Sequence, residues 1–184
     1  MNAVVENDIS IEAGLEMLGY EAFLPGQREA IEILLDSGRL LLVAPTGGGK
    51  SLTYQLPATM LPGTTLVVSP LIALMHDQVR ALEERGVSAT YLAGTLDAGE
   101  MRDRLNQISQ GTYKLVYVAP ERLVFDGFRA MLSRIDCPLV AIDEAHCISE
   151  WGHDFRPDYM RIGDLLSDLP EARVLACTAT ATPI

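Results

Sequence analysis

Six short apolar runs, each closed by turn residues, set the strongest limit on what this chain can fold into. They are Leu40 to Val43, Leu66 to Ser69, Ala89 to Leu92, Leu115 to Val118, Leu139 to Ile142 and Val174 to Cys177. Runs of this length without polar alternation fit strands buried on both faces. The segments between them are of helical length and mix polar with apolar residues. Leu71 to Arg85, for instance, ends on an arginine followed by Gly86, where a left-handed helix cap belongs. Strand and helix in alternation predict an α/β fold, a mostly parallel β-sheet flanked by helices on both faces. Ligands of such sheets bind beyond the carboxyl ends of the strands, so the residues after each run are the ones to read for chemistry.

The chain has 184 residues, 48% of them hydrophobic, enough for one core and a single domain over 1–184. Residues 1–9 read as a loose leader, and 182–184 stop abruptly after a strand, which suggests a chain cut from a longer one. No stretch nears the roughly 20 apolar residues of a membrane span, and the acidic start Met1 to Asp8 is unlike a signal peptide. A soluble cytoplasmic protein is expected, nucleoid-associated if bacterial. Cys137, Cys147 and Cys177 form no CxxC pair, so reduced thiols are expected rather than a disulfide framework or a zinc site. Net charge is −11, which argues against a strong grip on nucleic acid by this chain alone. The methionines read as core filler, Glu83-Glu84-Arg85 as a solvated helix end, and His76 as a solvated or phosphate-facing residue.

Strand Leu40 to Val43 runs into Ala44-Pro45-Thr46-Gly47-Gly48-Gly49-Lys50-Ser51, followed by a predicted helix. That context turns a glycine-rich string into a phosphate cradle. Glycines at 47, 48 and 49 let backbone N–H groups point at phosphate oxygens, and the helix beginning near Lys50 adds its positive end. Lys50 reaches the terminal phosphates, and the Ser51 hydroxyl is a magnesium ligand. Thr46 to Ser51 are therefore the candidate nucleotide-binding residues. Ala44 stands where the general pattern has glycine.

Strand Leu139 to Ile142 ends in Asp143-Glu144-Ala145-His146. Two carboxylates at the end of a buried run are costly without chemistry or partners. Asp143 is placed to hold the magnesium hydration shell, and Glu144 to orient and deprotonate an attacking water. Lys50, Asp143 and Glu144 form the candidate catalytic set, with ATP and Mg2+ as the expected cofactors.

These residues carry a family. The chain resembles the first RecA-like lobe of superfamily 2 helicases, and within them the RecQ family of DNA helicases, over about residues 18–182. The resemblance extends to three further strings in the family's order, Ser69 to Gln78, Tyr117 to Leu123 and Thr178 to Ala181. Its most specific part runs from Cys147 through Trp151, His153, Phe155 and Arg156 to Tyr159, like the aromatic-rich loop of RecQ proteins. That loop concentrates the chain's single Trp with a His, a Phe and an Arg, groups that stack on unpaired bases or pair with phosphate.

What the resemblance implies is a RecA-like P-loop NTPase lobe of a 3′ to 5′ DNA helicase. It implies DNA coupling through Trp151, His153, Phe155 and Arg156, and through His146, Ser69, Gln78, Thr178 and Thr180. It also implies that Tyr20 stacks on adenine while Gln27 hydrogen-bonds the adenine edge. Leu24 stands where the family usually has arginine. The resemblance implies a second RecA-like lobe in the parent protein, because this chain holds only the first, and weak DNA binding by this lobe alone. Two other functions compete: a short regulatory nucleotide-binding module that does not translocate, and an RNA helicase lobe.

Overall fold

The computed structural model describes residues 9–148 and 156–180. Within them α1 (Ile11–Met17) and α2 (Gln27–Ser37) precede β1 (Arg39–Val43), α3 (Leu52–Met60), β2 (Thr65–Val68) and α4 (Ile72–Glu84). Then follow β3 (Ala89–Leu92), α5 (Ala98–Ser109), β4 (Leu115–Val118), α6 (Asp126–Leu132), β5 (Leu139–Ile142), α7 (Ile162–Asp168) and β6 (Arg173–Thr178). Short 3-10 turns occupy Pro120–Val124, Ala145–Ile148 and Pro157–Arg161. Each of the six apolar runs is a strand, displaced by no more than a residue from its predicted ends.

The strands form one sheet in the order β1-β6-β5-β2-β4-β3, every neighbouring pair parallel. Right-handed crossovers explain the layering. Moving out from β1 through β2 to β3 places α3 and α4 on one face. Returning from β3 through β4 and β5 to β6 places α5, α6 and α7 on the other. Two core clusters result: Val67, Tyr117, Ala141 and Leu175 pack with α1 to α4, while Leu66, Val68, Val116 and Ile142 pack with α5 to α7. The doubly wound expectation is borne out.

Local signals act where expected. Asp97 and Glu100 close a reciprocal capping box at the start of α5, and Ser10 caps α1. Past α4, Gly86 takes φ 76° and Val87 N–H returns to the Leu82 carbonyl, ending the helix as its sequence predicts. All three cysteines are buried, with burial pushing the Cys137 thiol up to about 11 and Cys177 up to about 12. No helix among the described residues is long and apolar enough to cross a membrane. One bland reading needs correction: Met75 fills the core, but Met17 and Met160 are exposed. His76 is exposed, its ring 4.1 Å from that of Tyr91. Glu83, Glu84 and Arg85 are exposed at the end of α4, and Arg85 sits over the ring of Tyr20.

Candidate nucleotide site

The glycine-rich loop leaves β1 beside β6, where Ala44 N–H donates to the Thr178 carbonyl (3.1 Å), and it turns through a Gly48 N–H to Pro45 carbonyl bond of 2.9 Å. Gly47 and Gly49 take φ of 79° and 66°, which L side chains rarely adopt. At Gly49 the constraint is double, because a Cβ there would overlap the amide of Gln27. Thr46 and Gly47 are exposed, and Gly48, Gly49 and Lys50 half-buried. Ser51 is the N-terminal cap residue of α3. Lys50 folds back along the loop, its Nζ 3.2 Å from the Ala44 carbonyl and 3.3 Å from that of Pro45. The ammonium is thus held at the mouth of its own turn.

Gln27 is buried against this loop. Its Nε2 donates to the Gly49 carbonyl (2.9 Å) and its Oε1 accepts from Leu24 N–H (2.7 Å), so the amide pins the segment before α2 to the phosphate loop. A cavity of about 230 Å³ lies between them, lined by Pro25, Gly26, Gln27, Ala44, Pro45 and Gly48 among others. Tyr20 is absent from its lining. Its ring is covered by the Arg85 guanidinium at 4.8 Å, and its hydroxyl accepts from Arg85 Nη1 at 3.4 Å. The structure therefore brings Gln27, but not Tyr20, to the loop.

At the end of β5, Asp143 is 8% exposed. Its carboxylate accepts the Glu144 N–H (3.0 Å), and the Ser69 hydroxyl favours its charged form. Burial first, and then the charge of Glu144, push its pKa above the usual carboxylate range, while the Lys50 ammonium pulls it back. The loop lysine and the strand-end carboxylate both lie at the carboxyl end of the sheet. Ser69, named with the DNA-coupling residues, is 2% exposed and acts on Asp143 rather than on the surface.

Glu144 has φ 50°, the only positive value among described non-glycine residues. Such backbone strain persists only where the surroundings hold it, and it gathers at functional sites. Glu144 Oε2 lies 3.3 Å from His146 Nδ1, which lies 3.0 Å from Thr178 Oγ1. The Thr178 hydroxyl bonds the Thr180 carbonyl (3.0 Å) and accepts the Thr180 N–H (3.2 Å). His146, Thr178 and Thr180 thus join the ends of β5 and β6. Beside them a cavity of about 270 Å³ is lined by Pro70, Leu71, Glu144, His146, Cys147 and Arg156. It opens where the chain leaves β2 for one face and β5 for the other, a topological switch point. Trp151, His153 and Phe155 lie outside the described residues.

Gln78 faces inward, its Oε1 accepting from Gln55 Nε2 at 2.6 Å. Sequence reasoning missed Gln55, a buried amide in the otherwise mostly apolar helix after Ser51, and that mismatch was the available signal. It also passed over the role of Tyr159 at the close of the aromatic-rich string. Tyr159 is 1% exposed, and its hydroxyl donates to the Asp143 carbonyl at 2.9 Å. Burial pushes the Tyr159 phenol well up, so it stays a donor throughout the physiological range.

A glycine-rich loop opening a helix, with a buried carboxylate at the carboxyl end of β5 in the same parallel sheet, defines the P-loop class of doubly wound nucleotide-binding proteins. The DEAD/DEAH box helicase family matches residues 24–184, and the chain belongs to it. Over 167 residues it is 54% identical to the ATP-dependent DNA helicase RecQ of Bacillus subtilis, covering 90% of this chain and 28% of that protein. It is 46% identical to the probable ATP-dependent DNA helicase RecS of the same organism (91% and 34% covered) and 42% identical to ATP-dependent DNA helicase Q1 of Mus musculus (88% and 26%). The resemblance to RecQ helicases is borne out, and the chain spans about a third or less of the length of these relatives. Among solved structures, the Mycobacterium smegmatis helicase Lhr bound to ssDNA and AMP-PNP superposes with TM-score 0.70 at 21% identity, over 95% of this chain and 25% of that one. A hypothetical ATP-dependent RNA helicase from Sulfolobus tokodaii gives TM-score 0.67 at 24% identity, over 92% and 50%. These two establish the fold.

Proposed function

We propose that the chain is the ATP-binding motor lobe of a RecQ-type DNA helicase, which in the complete protein couples ATP hydrolysis to 3′ to 5′ unwinding. The observation that carries this is a glycine-rich loop after β1 and the buried Asp143 after β5, both at the carboxyl end of one parallel sheet, in a chain 54% identical to a RecQ protein. The residues fit Mg-ATP. Asp143 is a buried carboxylate whose charge is penalised by its surroundings, the condition a bound cation relieves.

Thr46 to Lys50 wrap the phosphates with loop N–H groups, and the Lys50 ammonium exchanges its carbonyl partners for the terminal phosphate. Ser51 and Asp143 would hold magnesium, which would supply charge neutralisation at the transferred phosphate. Glu144, aimed by its strained backbone and by His146, takes the proton of the attacking water. Gln27 reads the adenine edge, and Tyr20 reaches the base only by leaving Arg85. His146, Thr178 and Thr180 pass the state of the site to β6, while Arg156 and the loop bearing Trp151, His153 and Phe155 take the DNA strand. A second RecA-like lobe in the complete protein closes on the nucleotide.

The deciding measurement is ATP hydrolysis by the complete protein with single-stranded DNA and with RNA. Stimulation by DNA and not by RNA is expected. Equal or greater stimulation by RNA refutes the RecQ-type assignment, and no turnover with either leaves a regulatory module in its place.

A further inference from the structure

Gln55 lies outside the contacts just proposed, and its side chain is buried within α3 at 2% exposure. A buried primary amide is costly unless its groups are paired. Here Nε2 serves two acceptors, Gln78 Oε1 at 2.6 Å and the Tyr117 hydroxyl at 3.1 Å, so both its hydrogens are used. Gln78 belongs to α4 and Tyr117 to β4, and the Tyr117 ring meets that of Tyr54 edge to face at 6.4 Å. One amide therefore ties three elements together. A leucine would fill similar space without fixing which residue of α4 lies opposite. Buried polar pairs, by contrast, hold register at some cost in stability.

The two helices so joined serve different parts of the site. Gln55 sits one turn after Ser51, with its N–H bonded to the Ser51 carbonyl at 2.9 Å, so any shift of α3 at this point is a shift of the phosphate loop. The helix α4 starts directly after Ser69, Pro70 and Leu71, and its first turn exposes Leu71 and Leu74. Pro70 and Leu71 line the same cavity as Glu144 and Arg156. A strand seated there leans on the start of α4. Gln78 is only half-buried, so its amide has a second available state in water.

We infer that Gln55 is a positioning residue coupling α4 to the phosphate loop: through its bond to Gln78 it converts displacement of α4 by a bound strand into displacement of Lys50 and Ser51. This rests on the DNA-helicase reading above. Coupling carried by such a contact requires a discrete contact that both sites bias, and the Gln55–Gln78 amide pair supplies one.

The test is DNA-stimulated ATP hydrolysis by the complete protein carrying Gln55→Leu, Gln78→Leu or both. For Gln55→Leu the KM for ATP stays within about two-fold while DNA-stimulated kcat falls about ten-fold, within the range by which single residues alter coupling. Gln78→Leu gives a fall of similar size, and the double variant falls no further than the singles, since each removes the same contact. Full stimulation in Gln55→Leu overturns the inference. So does a double variant whose loss is the product of the two single losses, or a loss of ATP affinity together with a lower Tm. Should Gln55→Leu fail to fold, Gln55→Met keeps the length and lacks the amide, and the same outcomes apply. A wild-type protein indifferent to DNA overturns the helicase reading and this inference with it. A stimulated wild type with equally stimulated variants overturns this inference alone.

Discussion

Lys50 and Asp143 have unequal surroundings. The lysine leans on two loop carbonyls, whereas the carboxylate is buried and pushed towards protonation by its burial and by Glu144. For Lys50→Ala, nucleotide affinity should drop about 30-fold or more, the effect of losing roughly 2 kcal/mol with one charge partner. Calorimetry with Mg-ATP reads this directly, and unchanged affinity removes Lys50 from the site. Asp143 gives the opposite result for stability. A carboxyl whose folded pKa lies above its unfolded value stabilises the fold fully below the unfolded pKa, and that contribution is lost as pH rises through the folded pKa. Ionising Asp143 as pH rises is therefore a cost to the fold. Asp143→Asn should raise the Tm of the nucleotide-free chain at pH 7 by about 2–4 °C, the response of a chain this size to roughly 1 kcal/mol, and abolish the further rise with Mg-ATP. A lower Tm at pH 7 contradicts the assigned burial cost. Leu24 tests a contact of another kind. It is 48% exposed, so Leu24→Arg should leave the Tm nearly unchanged and tighten ATP binding. Equal or weaker binding refutes a missing arginine contact at that position.

Between residue and whole chain, the elements show what sequence makes legible. Strand positions were readable because a strand buried on both faces must be apolar at successive residues, as Thr65–Val68 and Leu139–Ile142 are apart from Thr65. The end of α4 was readable from Gly86, and the phosphate loop from its glycines between a strand and a helix. Contacts spanning long stretches of chain were not. Arg85 meets Tyr20 across 65 positions and Gln55 meets Tyr117 across 62, and no local pattern encodes either. The positive φ of Glu144 was equally hidden, since its residue type favours no such conformation. Glycines offer a controlled comparison at this scale. Gly63, in the turn from α3 to β2, has φ 80°, and a Cβ there would overlap the Asp136 carbonyl. Gly63→Ala should destabilise the fold by about 1–3 kcal/mol while the folded fraction binds ATP normally. Gly49→Ala strains the chain similarly but also displaces Gln27 from the loop, so it should weaken nucleotide binding as well. Thermal melts and calorimetry on both separate the two effects, and normal ATP affinity in Gly49→Ala would show that the Gln27 link is dispensable.

For the molecule as a whole, the distribution of charge limits what the 184 residues do alone. Acidic residues number 25 against 14 Lys and Arg, and much of the positive charge is engaged internally. Arg28 pairs with Glu12 and Glu32, Arg80 with Glu84, and Arg129 and Arg161 with Asp164. Arg85, Arg104 and Arg122 lie over aromatic rings. These contacts engage half of the 14 cations, leaving fewer to neutralise phosphates. Binding of single-stranded DNA by residues 1–184 should therefore be weak and fall with salt at a logarithmic slope of about −1 to −2, since each phosphate contact on a single strand contributes about −0.7. Hydrolysis should be limited separately. On the proposed reading, Lys50 and a magnesium ion that Ser51 and Asp143 would hold neutralise only part of the transition-state charge, and an arginine finger supplied from a second lobe adds about 10³ to 10⁵ in turnover in related NTPases. The isolated residues should bind Mg-ATP yet turn it over near background, with or without DNA. Translocation also needs two grips that change relative position with each ATP, so the same chain should not unwind a duplex. The decisive comparison sets residues 1–184 beside the protein extended through the proposed second lobe, reading anisotropy of labelled DNA at several salt concentrations, ATP turnover and unwinding. Robust unwinding by residues 1–184 overturns the two-lobe account. An extended protein that binds DNA with a steep salt slope yet neither hydrolyses nor unwinds points instead to a regulatory nucleotide-binding module.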